Sequence, residues 1–304
     1  MRIEGTVCPL PTPTVGNGED IDERVLSQYT KFLLEGGVHG LFPCGSIGEF
    51  SSLQREQRQQ VIKIVAEHAD VPVLAGCGDT SVKSVRQNVR DAAEAGADAA
   101  VVVTPYYLST TQDGLEDFFR AIADDSTLPV YLYNIPALTG ESLSVDLLVS
   151  LADHPNIHGL KDTSGDLTFL REAVTRTPES FTVLQGASEL AVASLDFEAD
   201  GLIAGPANVF PGAMATLYDA YRSGNRTKAV SIMNEVTNPV VSATRPMPTA
   251  PAIKHLVGCA GYDIGGPLPP LPQLTEQQKT SLEQCYETVS MAIGEQLPSI
   301  NRAN

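Results

Sequence analysis

Lys161 follows the short apolar run "IHGL" and precedes "DTSGD", a turn that reads as the cap of a helix. The chain has only seven lysines, and lysine is seldom buried because its ammonium loses hydration there. A lysine at a strand terminus ordinarily lays its stem on apolar surface and keeps its head in water. Held in apolar surroundings, it becomes a nucleophilic amine that can attack a ketone. The resulting Schiff base draws electrons from the neighbouring carbon–carbon bond. Tyr133 ends another apolar run, "VYLY", and its phenol can move a proton, although an aromatic there is by default packing. Ser46, in "CGSIGEF", lies between glycines, and the amides of Ser46 and Ile47 can hold a carboxylate.

Corresponding places after other apolar runs carry Tyr106 and Tyr107 in "TPYY", Gly186 and Glu189 in "QGASE", and Ile203 and Asn208 in "LIAGPANV". Any one of these has an ordinary structural explanation. The case for chemistry is that they fall on matching ends of different runs, where one mouth would gather them.

What must gather them is a regular alternation. Strand-like runs at 5–10, 40–43, 72–76, 99–104, 129–133, 157–161, 182–185 and 201–204 interleave with helical patterns near 21–36, 53–69, 81–95, 114–124, 143–153, 166–176, 188–198 and 211–223. Runs such as "AAVVVT" are apolar throughout, as strands buried on both faces are. Eight units over about 225 residues predict a (β/α)8 TIM barrel, in which chemistry collects where strands end. The competing open, doubly wound sheet would show G-x-G-x-x-G after an early strand; "AGCGDTS" has the wrong spacing. Residues 1–225 thus read as the catalytic barrel, and 226–304 as a helical extension packed on it. The extension has helices at 226–242 and 273–296, separated by the proline-rich "GGPLPPLPQL". That segment reads as a rigid connector in preference to a ligand for a polyproline-binding module.

Composition narrows the partners. The formal net charge of -17 and the lack of any basic run argue against nucleic acid or acidic membranes. Excess acid with scarce lysine resembles proteins of salt-loving organisms, for which the acid is a solvated surface. No run approaches 18 apolar residues, and the N-terminus lacks a signal peptide's apolar core, so a cytoplasmic protein is expected. The five cysteines are widely spaced, without C-x-x-C or metal-ligand spacing to histidine, and no metal is expected. Most read as inert packing; Cys44 stands out because it abuts the Ser46 turn.

With "GSIGE", "PYY", "YNIP" and "GLKDTSGD" in this order, the chain resembles, over residues 3–300, the pyruvate-dependent class I aldolases. That family contains dihydrodipicolinate synthase, N-acetylneuraminate lyase and 2-keto-3-deoxygluconate aldolase. The resemblance implies a (β/α)8 barrel with a helical C-terminal part, assembled as a homotetramer of two tight dimers. It implies that Lys161 forms the Schiff base with a small 2-oxo acid and that Tyr133 is the general acid/base. Tyr133 would be linked through Ser46 to Tyr107 of a neighbouring subunit. Ser46 and Ile47 amides would grip the carboxylate, with Gly186 and Ile203 flanking the 2-oxo acid. No metal or organic cofactor is implied.

Departures from the family pattern sort its members. Leu138 stands where dihydrodipicolinate synthase has an arginine for its second carboxylate. "YNIPALTG" is more like the sialic acid lyase, yet Ser188 replaces an acidic residue before Glu189, and Gly205 replaces a serine. Ile47 replaces a threonine of the carboxylate grip. Thr163, Ser188 and Glu189 remain to bind hydroxyls, so the expected substrate is a smaller polyol. The leading expectation is cleavage of 2-keto-3-deoxygluconate to pyruvate and glyceraldehyde, as in Entner–Doudoroff carbohydrate metabolism. Alternatives are a 2-keto-3-deoxy sugar acid dehydratase, a sialic acid lyase-like activity, the dihydrodipicolinate synthase reaction (4-hydroxy-tetrahydrodipicolinate formation), and a catalytically silent ligand-binding barrel. The lack of an evident basic clamp at the strand ends favours an unphosphorylated substrate.

Overall fold

The computed structural model describes residues 2–294. Eight parallel strands form the barrel: β1 (Gly5–Cys8), β2 (Gly40–Leu41), β3 (Leu74–Gly76), β4 (Ala99–Val103), β5 (Val130–Asn134), β6 (Ile157–Asp162), β7 (Thr182–Gln185) and β8 (Gly201–Ile203). They pair in the order β2-β1-β8-β7-β6-β5-β4-β3, and a parallel bridge from Leu41 to Val73 joins the two ends. Each run from the sequence became one strand of a (β/α)8 TIM barrel.

The strands are apolar throughout because each has two buried faces. Val7, Phe42, Leu74, Val101, Val103, Tyr131, Tyr133, Leu184 and Ile203 pack together inside the barrel. Their sequence neighbours Cys8, Leu41, Ala75, Val102, Leu132, Val183 and Leu202 belong to the outer core beneath the helices. Period-two alternation therefore sorts residues between inside and outside, not between core and water.

The surrounding helices are α1 (Glu23–Glu35), α2 (Arg55–His68), α3 (Val82–Glu94), α4 (Gln112–Asp125), α5 (Val145–Ala152), α6 (Leu167–Arg176), α7 (Ala191–Asp196) and α8 (Pro211–Arg222). Several start at a side-chain cap: Asp22 accepts from the Val25 amide at 2.9 Å, and Ser144 from Leu147 at 3.2 Å. Each such cap satisfies a first-turn donor and is worth about 1 kcal/mol. A two-strand ribbon, Thr14–Val15 against Asp20–Ile21, lies in the first loop and was not foreseen.

The C-terminal part departs further from the sequence reading. The run at 226–242 is α9 (Arg226–Ile232), a π-helical turn (Met233–Thr237) and α10 (Asn238–Thr244). The cause is Pro239: inside a helix it removes a hydrogen bond and crowds a carbonyl one turn back, which the wider turn relieves. An unforeseen helix, α11 (Thr249–Cys259), follows. The last described helix is α12 (Glu276–Ile293), begun by a Thr275–Gln278 capping box and closed by Gly294 at φ 73°, short of the expected 296; residues 295–296 lie outside the described residues. Tyr286 of α12 stacks on Phe210 at the start of α8, ring centroids 5.6 Å apart, so the extension shares the barrel's core. Among the described residues, no helix is long and apolar enough to cross a membrane.

Candidate active site

Register sets the centre of the site. Tyr133 on β5 and Lys161 on β6 are direct parallel partners, so both side chains point into the barrel. Lys161 is 5% exposed, with Nζ 3.8 Å from the Tyr133 ring centroid and 4.7 Å from that of Phe42. The two ring faces offer the ammonium some attraction. Burial nevertheless pulls the Lys161 pKa below its usual 10.5, with the neighbouring Tyr133 opposing. Desolvation thus favours the neutral, nucleophilic amine.

The segment after Lys161 locks it in place. Asp162 is buried and accepts from Asn134 Nδ2 and Ser164 Oγ, both at 2.8 Å. Burial raises its pKa, and those hydrogen bonds act the other way. Gly165 turns the chain at φ 79°, and Asp166 caps α6 by accepting from the amides of Thr168 and Phe169. The "DTSGD" signal therefore is what the sequence suggested, a turn that starts a helix. Gly186 lies against this strand: a Cβ there would strike Thr163 Oγ1 and come 3.1 Å from Lys161 Cε. Thr163 Oγ1 is buried without a hydrogen-bond partner, a polar atom left open for something in the cavity.

The Ser46 turn reaches the same centre. Its hydroxyl lies 3.5 Å from the Tyr133 oxygen, the outer limit of a hydrogen bond. Cys44 and Glu49 bracket the turn in left-handed conformations, φ 57° and 55°. Gly48 is needed because a Cβ would come 3.0 Å from the Leu10 carbonyl and 3.1 Å from the Cys44 amide. Among the described residues the amides of Ser46 and Ile47 donate to no acceptor. Cys44 itself is buried, and burial pushes its thiol up to about 12, which removes it as a nucleophile.

One cavity of about 690 Å³ opens onto these groups. Of the expected site residues, Ser46, Ile47, Tyr133, Lys161, Thr163, Gly186, Ser188, Glu189 and Ile203 all line it. Three strand-end candidates do not. Asn208 is buried structural polarity: it accepts from the Tyr29 hydroxyl at 2.8 Å and donates to the Pro9 and Gly205 carbonyls. Tyr106 packs edge-on against Phe50. Tyr107 is 92% exposed at φ 80°, so it does not enter its own chain's cavity. Being at a strand's carboxyl end places a residue near the mouth, but the loop path decides where it points.

The sequence reading missed two contributors. Phe42, at the end of β2, forms the apolar wall against Lys161 and read only as core. The second is the C-terminal part: Val240, Thr244, Arg245, Met247, Thr249 and Ile253 form a wall of the cavity. Arg245 Nη2 donates to Glu189 Oε1 at 3.0 Å, so Glu189 meets a guanidinium instead of standing free for hydroxyls. No strand-end signal could have found Arg245, which lies between two extension helices.

Comparison with known proteins agrees with this geometry. The model of the dihydrodipicolinate synthetase family matches residues 2–289. A 4-hydroxy-tetrahydrodipicolinate synthase of Methanoculleus marisnigri is 36% identical, covering 90% of this chain and 96% of its own. An uncharacterised DapA-like lyase of Halobacterium salinarum is 34% identical, covering 93% of both. YagE, a prophage protein of the dihydrodipicolinic acid synthase family from E. coli K12 solved with pyruvate, is 32% identical with TM-score 0.90, over 94% of this chain and 98% of that one. Together with the barrel and its buried lysine, these matches mean that the chain belongs to the dihydrodipicolinate synthetase family of lyases.

Proposed function

We propose that the protein is a Schiff-base aldolase that reversibly cleaves 2-keto-3-deoxygluconate to pyruvate and glyceraldehyde. The observation that carries the reading is the buried Lys161 amine against Tyr133 at the base of an open cavity. The neutral amine adds to the C2 ketone, and loss of water leaves a cationic imine. Amides of Ser46 and Ile47 hold the C1 carboxylate. The C4 hydroxyl proton passes to the Tyr133 oxygen, whose own proton leaves toward Ser46. The C3–C4 bonding pair moves into the imine as an enamine, and glyceraldehyde departs. Protonation at C3 and addition of water then release pyruvate and restore the amine. Gly186 and Ile203 flank the 2-oxo acid, and Thr163 and Ser188 face its hydroxyls beside a Glu189 held by Arg245. Tyr107, exposed beside an exposed Leu108, completes the proton path from a neighbouring subunit in a tight dimer.

The choice of a sugar acid rests on the outer cavity. Leu138 lines it, 67% exposed, where an arginine would be wanted for a second carboxylate. Arg245 supports a second reading, the 4-hydroxy-tetrahydrodipicolinate synthase reaction carried in the names of relatives at 35–36% identity. It is a cation at the rim, but it is engaged by Glu189. Pyruvate release from 2-keto-3-deoxygluconate, set beside condensation of pyruvate with aspartate semialdehyde, tests the choice. Sugar-acid cleavage is expected to dominate in kcat/KM. Comparable or better turnover of the semialdehyde overturns it, and loss of water without a three-carbon aldehyde would point to a dehydratase.

A further inference from the structure

We propose that the buried ion pair of Glu49 and Lys254 is a positioning device through which the C-terminal helices hold the Ser46–Ile47 turn ready for a 2-oxo acid. The inference rests on the reading that this turn grips the carboxylate. It concerns two charged residues that do not line the cavity containing Lys161.

Both side chains are out of water, Lys254 2% and Glu49 0% exposed, with Nζ 2.6 Å from Oε1. The other carboxylate oxygen accepts from the Leu268 amide at 2.6 Å, and Lys254 Nζ donates to the Gly266 carbonyl at 2.9 Å. One carboxylate thus ties three segments: the turn after β2, helix α11, and the connector at 265–269. Two further bonds brace the turn on either side, from Thr12 Oγ1 to the Gly48 carbonyl at 2.8 Å and from Ser52 Oγ to the Pro269 carbonyl at 3.2 Å.

Glu49 is three residues beyond Ser46 and sits at φ 55°, a conformation an ordinary side chain holds only when its surroundings impose it. A buried ion pair is a poor device for stability alone, since apolar residues of similar volume serve as well or better. What it adds is direction, because the ion pair and the bonds to Leu268 and Gly266 form together only when the three segments are placed this way. In that arrangement Ser46 and Ile47 line the cavity, and among the described residues their amides have no acceptor. Burial pulls the Lys254 pKa below its usual 10.5, and the neighbouring Glu49 opposes that pull.

The test separates carboxylate binding from folding and from amine chemistry. Lys161 is trapped with cyanoborohydride over a range of pyruvate concentrations and, in parallel, with acetone, the same ketone without a carboxylate. In Lys254→Met and Glu49→Gln the half-saturating pyruvate concentration is expected to rise about tenfold or more, with the limiting rate nearly unchanged. Acetone trapping should stay at the wild-type rate, and Lys254→Arg should recover part of the pyruvate affinity. If Lys254→Met does not fold, the isosteric Glu49→Gln carries the same expectation. Unshifted pyruvate saturation in a folded variant overturns the positioning role, as does equal loss of pyruvate and acetone trapping. A wild-type protein that forms no pyruvate adduct on Lys161 overturns the carboxylate reading as well; a normal wild-type adduct with unshifted variants overturns the ion-pair role alone.

Discussion

Lys161 Nζ and the ring of Tyr133 are 3.8 Å apart because β5 and β6 pair those two residues directly. One strand register thereby sets amine and phenol side by side inside an apolar barrel. Slipping one of the two strands by a residue would turn its side chain to the outer core and part the pair.

The first consequence is chemical. Incubation with pyruvate and cyanoborohydride is expected to place a reduced three-carbon adduct on the peptide containing Lys161. Because burial holds this amine below its usual 10.5, the trapping rate should rise with a midpoint below that value. Peptide mass mapping over a pH series checks both points. An adduct on another lysine, or a midpoint at the ordinary value, contradicts the assignment.

Tyr133→Phe keeps the ring against Lys161 but removes the oxygen that approaches Ser46. The adduct should still form, while sugar-acid cleavage slows by about 10²- to 10⁴-fold, the worth of a positioned acid/base. Steady-state kinetics beside trapping on the same preparation distinguish the two steps. Turnover within a few-fold of wild type would reduce Tyr133 to packing.

The amine also has a cost to stability. Its folded-state pKa lies below the unfolded 10.5, so below the folded value both states hold the proton and the buried charge weighs fully on folding. As pH rises from the folded value toward 10.5, only the unfolded chain keeps the proton, and the folded state gains. Lys161→Met should therefore be more stable than wild type at neutral pH, and the gap should close toward pH 10.5. Thermal melts of both proteins across that range measure the gap. A gap that widens with pH has the wrong sign for this cause.

The barrel and its central pair were legible because they depend on local patterns: apolar runs, turn residues after them, and the fixed relation of strand end to mouth. The wall formed by α10, α11 and Arg245 was not. "TRPMPTAP" reads as loop because it holds three prolines, yet Pro248 is the residue capping α11 and Pro251 lies in its first turn. First-turn amides have no helical partner, so proline removes nothing there. The Glu49–Lys254 contact joins residues more than two hundred positions apart, and no local pattern carries it. Asn208 shows the reverse error, a correct strand end with a side chain that the loop turns elsewhere.

Surface charge gives a last expectation. With 37 acidic and 20 basic residues, like charges repel over about 10 Å at 0.1 M salt but only about 3 Å at 1 M. Tyr107 and Leu108 stand exposed at the carboxyl side of β4, where a second copy would cover them and bring Tyr107 toward Ser46 and Tyr133 of its partner. Removing salt should then separate the subunits and lower activity together, while the barrel's own core stays folded. Light scattering, activity and circular dichroism on the same samples across a salt series would follow all three. Tyr107→Phe should reproduce the loss of activity at high salt without a change in mass, because it removes the hydroxyl and keeps the ring. A separated subunit with full activity, or an intact assembly that loses activity as salt falls, would overturn the shared-site expectation.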